Sequence, residues 1–387
     1  MAVRFLNGEV SELCLGKPEL TKVAASATIA DALAALKTSR DSQVSVWVCT
    51  GGGSNGSCVC VGKFCAADLI LFLCREENLT HPFKAFEAPV SDVLPKGLPI
   101  VRHLNPTSSL LEALDYVLDG AQNLVIPIQS HHMQRKNFLH RQASSACTHY
   151  NGREYCWLTQ EDLVRFFLNS IGAFSPIPTH TVESLDIINH DIMTVPYNKP
   201  ASSALSYFHR ALIEQTSVAV VDEQNKLIGE ISPSTLACCD ETAAAAIMAL
   251  TAMDLMTYID CCGPPEDLVQ LVKTKLEEKK LEGLAELMDD FCESSMASSI
   301  SSSSSDDEYG FSKNGWPSRS GGPSGRSYPG RRSEAIICSR GSSLVAVMIQ
   351  ALAHRVSCVW VVEEDRTVVG NVTFAGMLRV FRSFAAS

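Results

Sequence analysis

The sequence predicts an α/β (α+β) fold in which one βαββα unit is written four times, and three observations predict it. Four helices open on pairs of small hydroxyl or alanine residues: Ala27-Thr28, Ser108-Ser109, Ser202-Ser203 and Ser342-Ser343. Sixteen residues after the second member of each pair comes a short β run, at Val44 in VSVWV, Val125 in LVIPI, Ala219 in SVAVV and Val359 in CVWVV. A second apolar stretch then turns into a helix each time, as GKFCAAD from Gly62, WLTQED from Trp157, GEISPST from Gly229 and GNVTFAG from Gly370. Self-similarity of this kind decides the fold before any single residue does.

The first helix of each unit carries its apolar residues in one phase. Ile29, Leu33 and Leu36 correspond to Leu110, Leu114 and Val117, then to Ala204, Phe208 and Ala211, and then to Leu344, Met348 and Ala351. Steps of four and three keep each trio on one face. Thr28 with Asp31 and Ser109 with Glu112 add the capping pattern that satisfies amides left open at a helix start. Each unit therefore reads strand, helix, strand, strand, helix. Its sheet is too thin to cover both of its own faces, so copies are expected to pair.

The distances between copies give the domain organisation. Residues 10–171 hold the first two copies, with a basic, His-bearing loop insertion at 130–153 inside the second. Residues 172–181, which include AFSPIPTHT, read as a Pro-bearing hinge between halves that fold independently. Residues 182–384 hold copies three and four. The last copy is interrupted by an extra helix at 264–292, opened by Pro264-Pro265-Glu266-Asp267, and by a Ser-, Gly- and Arg-rich stretch at 294–332 whose composition predicts disorder.

At 387 residues the chain exceeds what one core serves, and 46% hydrophobic with 19% charged residues suits folded globular protein. A net charge of -11 excludes the basic footprint of a nucleic-acid binder. The longest apolar stretch, Ala243 to Met253, is far shorter than the roughly 20 residues that span a bilayer. Glu9 and Glu12 also give the start neither signal nor transit character, so a cytoplasmic protein without membrane contact is expected. The 15 cysteines are odd in number and scattered through apolar segments, and they read mostly as small buried thiols.

The ending apolar-Gly-x-apolar-Ser/Thr-x-x-Asp, kept or degraded in all four units, resembles that of the cystathionine-β-synthase (CBS) domain. At finer grain, VSELCLGKP, GEISPSTLACCDETAAAA and AVMIQALAHRV resemble the plant CBSX group of CBS-domain proteins. The resemblance implies two pseudo-twofold Bateman modules, each of two repeats, with adenosyl ligands (AMP, ADP, ATP or S-adenosylmethionine) in the clefts between them. There a hydroxyl and an Asp three residues later reach the ribose, while amides or cations meet phosphate.

Carried over by position, Thr159 and Asp162 keep both groups, although Cys156 replaces the usual glycine. Asp68 remains where Cys65 has replaced the hydroxyl, Ser232 remains without its acid at Thr235, and Thr373 remains with Gly376. The expected ligand residues are thus Thr159 and Asp162, with Asp68 as a weaker second site and Arg153, Arg102 and His103 as candidates to face phosphate. The same Thr-x-x-Asp pattern is also a plain helix cap, and both readings stand. The resemblance further implies protein partners such as thioredoxin-system proteins or metabolic kinases, and it is compatible with a homodimer.

Other signals carry less. Gly51 to Gly56 satisfies GxGxxG but leads into a strand, whereas dinucleotide binding needs a helix start. Cys58 and Cys60 share a strand face across a hairpin from Cys49, so a thiol pair or zinc site is conceivable. Without CxxC spacing, buried thiols are favoured. His131, His132, His140 and His149 match no metal template. No nucleophile triad, HExxH or paired-carboxylate arrangement stands out, so the expected protein is a non-catalytic regulator, the alternative being a ligand-free scaffold. Ser303, Ser304 and Ser305 each precede an acid by three residues, the setting acid-directed kinases favour; the alternative is a linker that nothing modifies.

Overall fold

The structure, a computed structural model, describes residues 6–50, 57–98, 100–128, 153–261, 265–290 and 333–384. The first repeat comprises β1 Lys22–Ala24, α1 Ile29–Thr38, β2 Gln43–Thr50, β3 Ser57–Cys65 and α2 Ala66–Leu73. The second comprises β4 Val101–His103, α3 Leu110–Leu118, β5 Asn123–Ile128, β6 Glu154–Thr159 and α4 Gln160–Asn169. The third comprises β7 Met193–Pro196, α5 Leu205–Glu214, β8 Val218–Val221, β9 Leu227–Ile231 and α6 Pro233–Leu236. The fourth comprises β10 Ile337–Cys338, α7 Leu344–His354, β11 Cys358–Val362, β12 Val368–Thr373 and α8 Phe374–Phe384. Each repeat has its own three-stranded sheet, the first strand parallel to the second and the third antiparallel to it. A helix joins the parallel pair in each repeat, as the crossover between parallel strands requires.

Local chemistry sets the helix starts. Thr28 and Asp31 form a full capping box, and Ser109 and Ser343 accept the amides of Glu112 and Ala346. The third repeat departs from the expected pattern: Ser202 and Ser203 lie in a 3-10 turn, Ala201–Ala204, and α5 starts without a side-chain cap. Ser203 Oγ instead donates to the Pro200 carbonyl at 2.6 Å. The expected apolar trios are the buried faces, except Leu33, which is half-buried.

Sheets pair within each half, and helices pair between the halves. Trp47, Cys60, Val125 and Trp157 pack the first two sheets together, and Ala219, Val221, Trp360 and Val362 the last two. The larger cores run crosswise. One combines repeats one and three, the other repeats two and four. Phe167 of α4 stacks on Phe381 of α8 with ring centroids 4.5 Å apart, and Arg382 Nε donates to Asp115 Oδ1 at 2.5 Å.

The linker expected at 172–181 buries Phe174 and Pro178 and leaves its other residues exposed or half-buried. It forms two 3-10 turns, Ile171–Phe174 and Ile177–Thr179, and Phe174 beside Val182 at its end is fully buried. An aromatic ring at that position gains more from the core than from solvent, so it holds the connection down. The expected single helix at 264–292 is two, Glu266–Glu278 and 282–290, because Lys280 takes a left-handed φ of 57°. The turn lets Val272, Leu276, Leu284 and Leu287 all reach the same core. Gly283 lies so close to the first repeat that an added Cβ would stand 2.5 Å from the Thr80 carbonyl oxygen. Most of the two insertions, including Ser303, Ser304 and Ser305 and the four insertion histidines, lies outside the described residues.

Candidate ligand-binding clefts

The strand-to-helix turns of the four repeats present four different chemistries. In the second repeat, Thr159 N and Oγ1 each donate to Asp162 Oδ2 at 2.8 Å, and Asp162 N donates to Thr159 Oγ1 at 3.2 Å. This is a complete helix cap. The Lys17 ammonium also pairs with the Asp162 carboxylate and donates to the Trp157 carbonyl at 2.8 Å. Burial places it there: Val10 and Cys14 are in the core, Val10 N donates to Ser108 O, and Leu20 N donates to Tyr155 O, so the chain between must cross the β6–α4 turn. Cys156, which replaces the usual glycine, hydrogen-bonds Cys14 and with Lys17 draws that thiol below its ordinary range.

In the first repeat, Cys65 N donates to Asp68 Oδ2 at 2.8 Å. Asp68 is only 8% exposed, and burial pushes its carboxyl up against the opposing pull of hydrogen bonding with Cys65 and the nearby Lys63. Asp68 lines a cleft of about 210 Å³ with Lys63, Arg75, Gln122 and His209. Burial, with Arg75 nearby, pulls the His209 imidazole down, favouring its neutral form. Gln122 comes from the second repeat and His209 from the third, so three repeats meet in this cleft.

The third and fourth turns lack a carboxylate. Ser232 and Thr235 are both buried and satisfy each other, Thr235 N donating to Ser232 Oγ at 3.1 Å and Thr235 Oγ1 to Ser232 O at 2.8 Å. Thr373 and Gly376 border a cleft of about 490 Å³ with Asn189, Arg210 and Glu214. Arg210 is already paired there with Asp191 and, at 2.7 Å, with Glu214.

Of the phosphate candidates, His103 Nε2 accepts the Cys60 amide at 2.9 Å and the Arg102 guanidinium lies over the Tyr116 ring, while the backbone carbonyl of Arg153 accepts the Lys22 ammonium. The buried-thiol expectation is corrected at Cys49 and Cys58. They stand directly opposite on β2 and β3 and form a disulfide, with Cys49 exposed. Among the described residues, no group of three or more His, Cys, Asp or Glu is placed to hold a metal. The motif reading missed Lys17, Arg75, Gln122 and His209, since none of them sits in the repeated turn.

Four βαββα units, paired sheet to sheet with clefts at their strand-to-helix turns, define a CBS-repeat protein. The CBS domain family matches residues 184–237, the core of the third repeat. The Arabidopsis thaliana CBS domain-containing protein CBSX5 is 46% identical, the match covering 99% of each chain. CBSX6 of the same plant is 27% identical over 98% of this chain and 94% of that one. The SNF1-related protein kinase regulatory subunit gamma-like PV42b, also of A. thaliana, is 21% identical over 98% and 96%. This chain belongs to the family of CBS domain-containing proteins. A solved Methanocaldococcus jannaschii protein, described as a candidate archaeal homologue of g-AMPK, shares the fold with a TM-score of 0.54 at 14% identity, covering 97% of this chain and all of that one. Among the described residues, no helix is long and apolar enough to cross a membrane.

Proposed function

We propose that this protein is a non-catalytic regulator that takes an adenosyl ligand (AMP, ADP, ATP or S-adenosylmethionine) in the Asp68 cleft and biases a protein partner. The observation that carries the proposal is the buried Asp68 carboxylate, which shares a cleft with Lys63 and Arg75. A carboxylate accepts ribose hydroxyls, and two cations beside it suit phosphate or another anionic group. At about 210 Å³ the cleft is smaller than the roughly 300 to 1,000 Å³ of most small-molecule sites, which suits a seated nucleoside with its phosphates outside. Because three repeats line it, a ligand with different affinity for two arrangements of those repeats shifts their populations. A relative named as a kinase regulatory subunit supports a protein kinase as the class of partner.

A second reading, a scaffold without ligand, is favoured by the internal satisfaction of Asp162 by Lys17 and of Ser232 by Thr235. A thermal-shift screen separates the two. A ligand that binds only the folded form adds about 2.7 kcal/mol at a hundredfold excess over its Kd. The regulator reading expects a higher Tm with at least one of the four adenosyl compounds. No shift with any of them favours the scaffold.

A further inference from the structure

Three cysteines near the open end of the first hairpin have different surroundings. Cys49 and Cys58 stand directly opposite on β2 and β3, 9 residues apart in sequence, and are joined. Cys49 is exposed, whereas Cys58 is half-buried and packs against the core that Trp47, Val125 and Trp157 make between the first two sheets. Cys60, further along β3, is buried and donates to the Gly62 carbonyl at 3.3 Å, and burial pushes its thiol up to about 12. It stays protonated and takes no part in exchange, because the thiolate is the nucleophile.

The disulfide is not what holds the hairpin together. The β2–β3 ladder runs from Gln43 opposite Cys65 to Thr50 opposite Ser57, pairing residues on both sides of the bond, and Thr50 Oγ1 donates to the Ser57 carbonyl at 3.2 Å beyond it. A cross-link stabilises mainly by restricting the unfolded chain, and it contributes least where the loop it closes is short. Exposed disulfides are also the ones that thiols reach and open. We propose that Cys49–Cys58 is a reversible thiol–disulfide exchange site for a small thiol of the glutathione class, with attack directed at Cys49. Approach in line with the S–S bond needs open space in front of the sulfur, and Cys58 has the inter-sheet core against it. The incoming thiolate bonds to Cys49 Sγ, the S–S bond breaks, and its electron pair leaves on Cys58 Sγ, which takes up the proton that the small thiol gave to water. A second small thiolate then bonds to the small thiol's sulfur in the mixed disulfide, and the Cys49 thiolate departs and is protonated in the same way. One protein disulfide is thus reduced to a pair of thiols, and a pair of small thiols is oxidised to one disulfide.

Non-reducing peptide mapping by mass spectrometry tests this on the full-length protein. The wild type is expected to show the Cys49–Cys58 link, to lose it in reduced glutathione while a cooperative melt persists, and to regain it in oxidised glutathione. In Cys58→Ser the bond cannot reclose, and oxidised glutathione is expected to modify Cys49 there at least about tenfold faster than it modifies Cys58 in Cys49→Ser, since an exposed thiol is reached more readily than a half-buried one. Equal rates at the two positions, or a faster Cys58, overturn the assignment of Cys49 as the point of attack. A wild-type link that never forms, or that glutathione opens only once the protein has unfolded, overturns the exchange site altogether, even if neither serine variant folds.

Discussion

Lys17 and Asp162, 145 residues apart in sequence, form an ion pair at the turn where the second repeat keeps its full hydroxyl and carboxylate motif. The best-preserved motif in the chain is thus engaged by the chain itself. Asp162→Ala is expected to leave adenosyl affinity within about twofold and to cost about 1–2 kcal/mol of stability through the lost cap and pair. Urea denaturation and calorimetry on the same variant check both. A tenfold loss of affinity would mean that Lys17 yields to ligand.

Glu230 makes stability depend on pH. It is 2% exposed between the third and fourth sheets, where Trp360 Nε1 donates to its Oε2 at 2.6 Å. Burial pushes its carboxyl from 4.5 up to about 7, against the hydrogen bonds from Trp360 and Ser217 that favour the charged form. The folded state therefore prefers the protonated carboxyl. The resulting stabilisation is complete below about pH 4.5 and is lost as pH rises through about 7, amounting to about 3 kcal/mol. Urea titrations at pH 5 and pH 7.5 should show this loss in the wild type and not in Glu230→Gln. Parallel pH dependence in the two proteins contradicts it.

The halves are expected to need each other. Every residue of α2 is buried, and α2 packs against α5, α6 and the helix Ala243–Ala249 of the second half. A helix apolar all round is stable only when covered on all sides. Residues 1–175 expressed alone should aggregate or self-associate, and Phe381→Ala in the full chain should cost about 3–5 kcal/mol by removing the ring stacked on Phe167. A soluble, monomeric fragment with a cooperative melt, followed by light scattering and calorimetry, contradicts this account.

The repeated unit was legible because helical phase, caps and strand-to-helix turns are local patterns, and Ile29, Leu110, Phe208 and Leu344 sit in the faces their spacing assigns. What escaped was set by distance in the fold. Nothing near Asp162 in sequence announces Lys17, which arrives because Val10 and Cys14 are buried farther along the same strap. Gln122 lies outside every motif, and His209 reads as one more polar residue on a helix until α5 is packed against α2. Cys49 and Cys58 were visible as hairpin neighbours, but only the register that sets them directly opposite decides that they pair. The break at Lys280 escaped because lysine favours helix, and the left-handed turn is imposed by the core that Leu276 and Leu284 both reach.

The central claim is that Asp68, and not Asp162, holds the ribose of an adenosyl ligand. Its most direct test is calorimetric titration of ATP into the wild type and into Asp68→Ala, with thermal melts showing that both are folded. The account predicts at least about a tenfold loss of affinity in Asp68→Ala, because hydrogen bonds to a charged acceptor contribute about 1.5–3 kcal/mol. ATP binding of equal strength in the two proteins would contradict it.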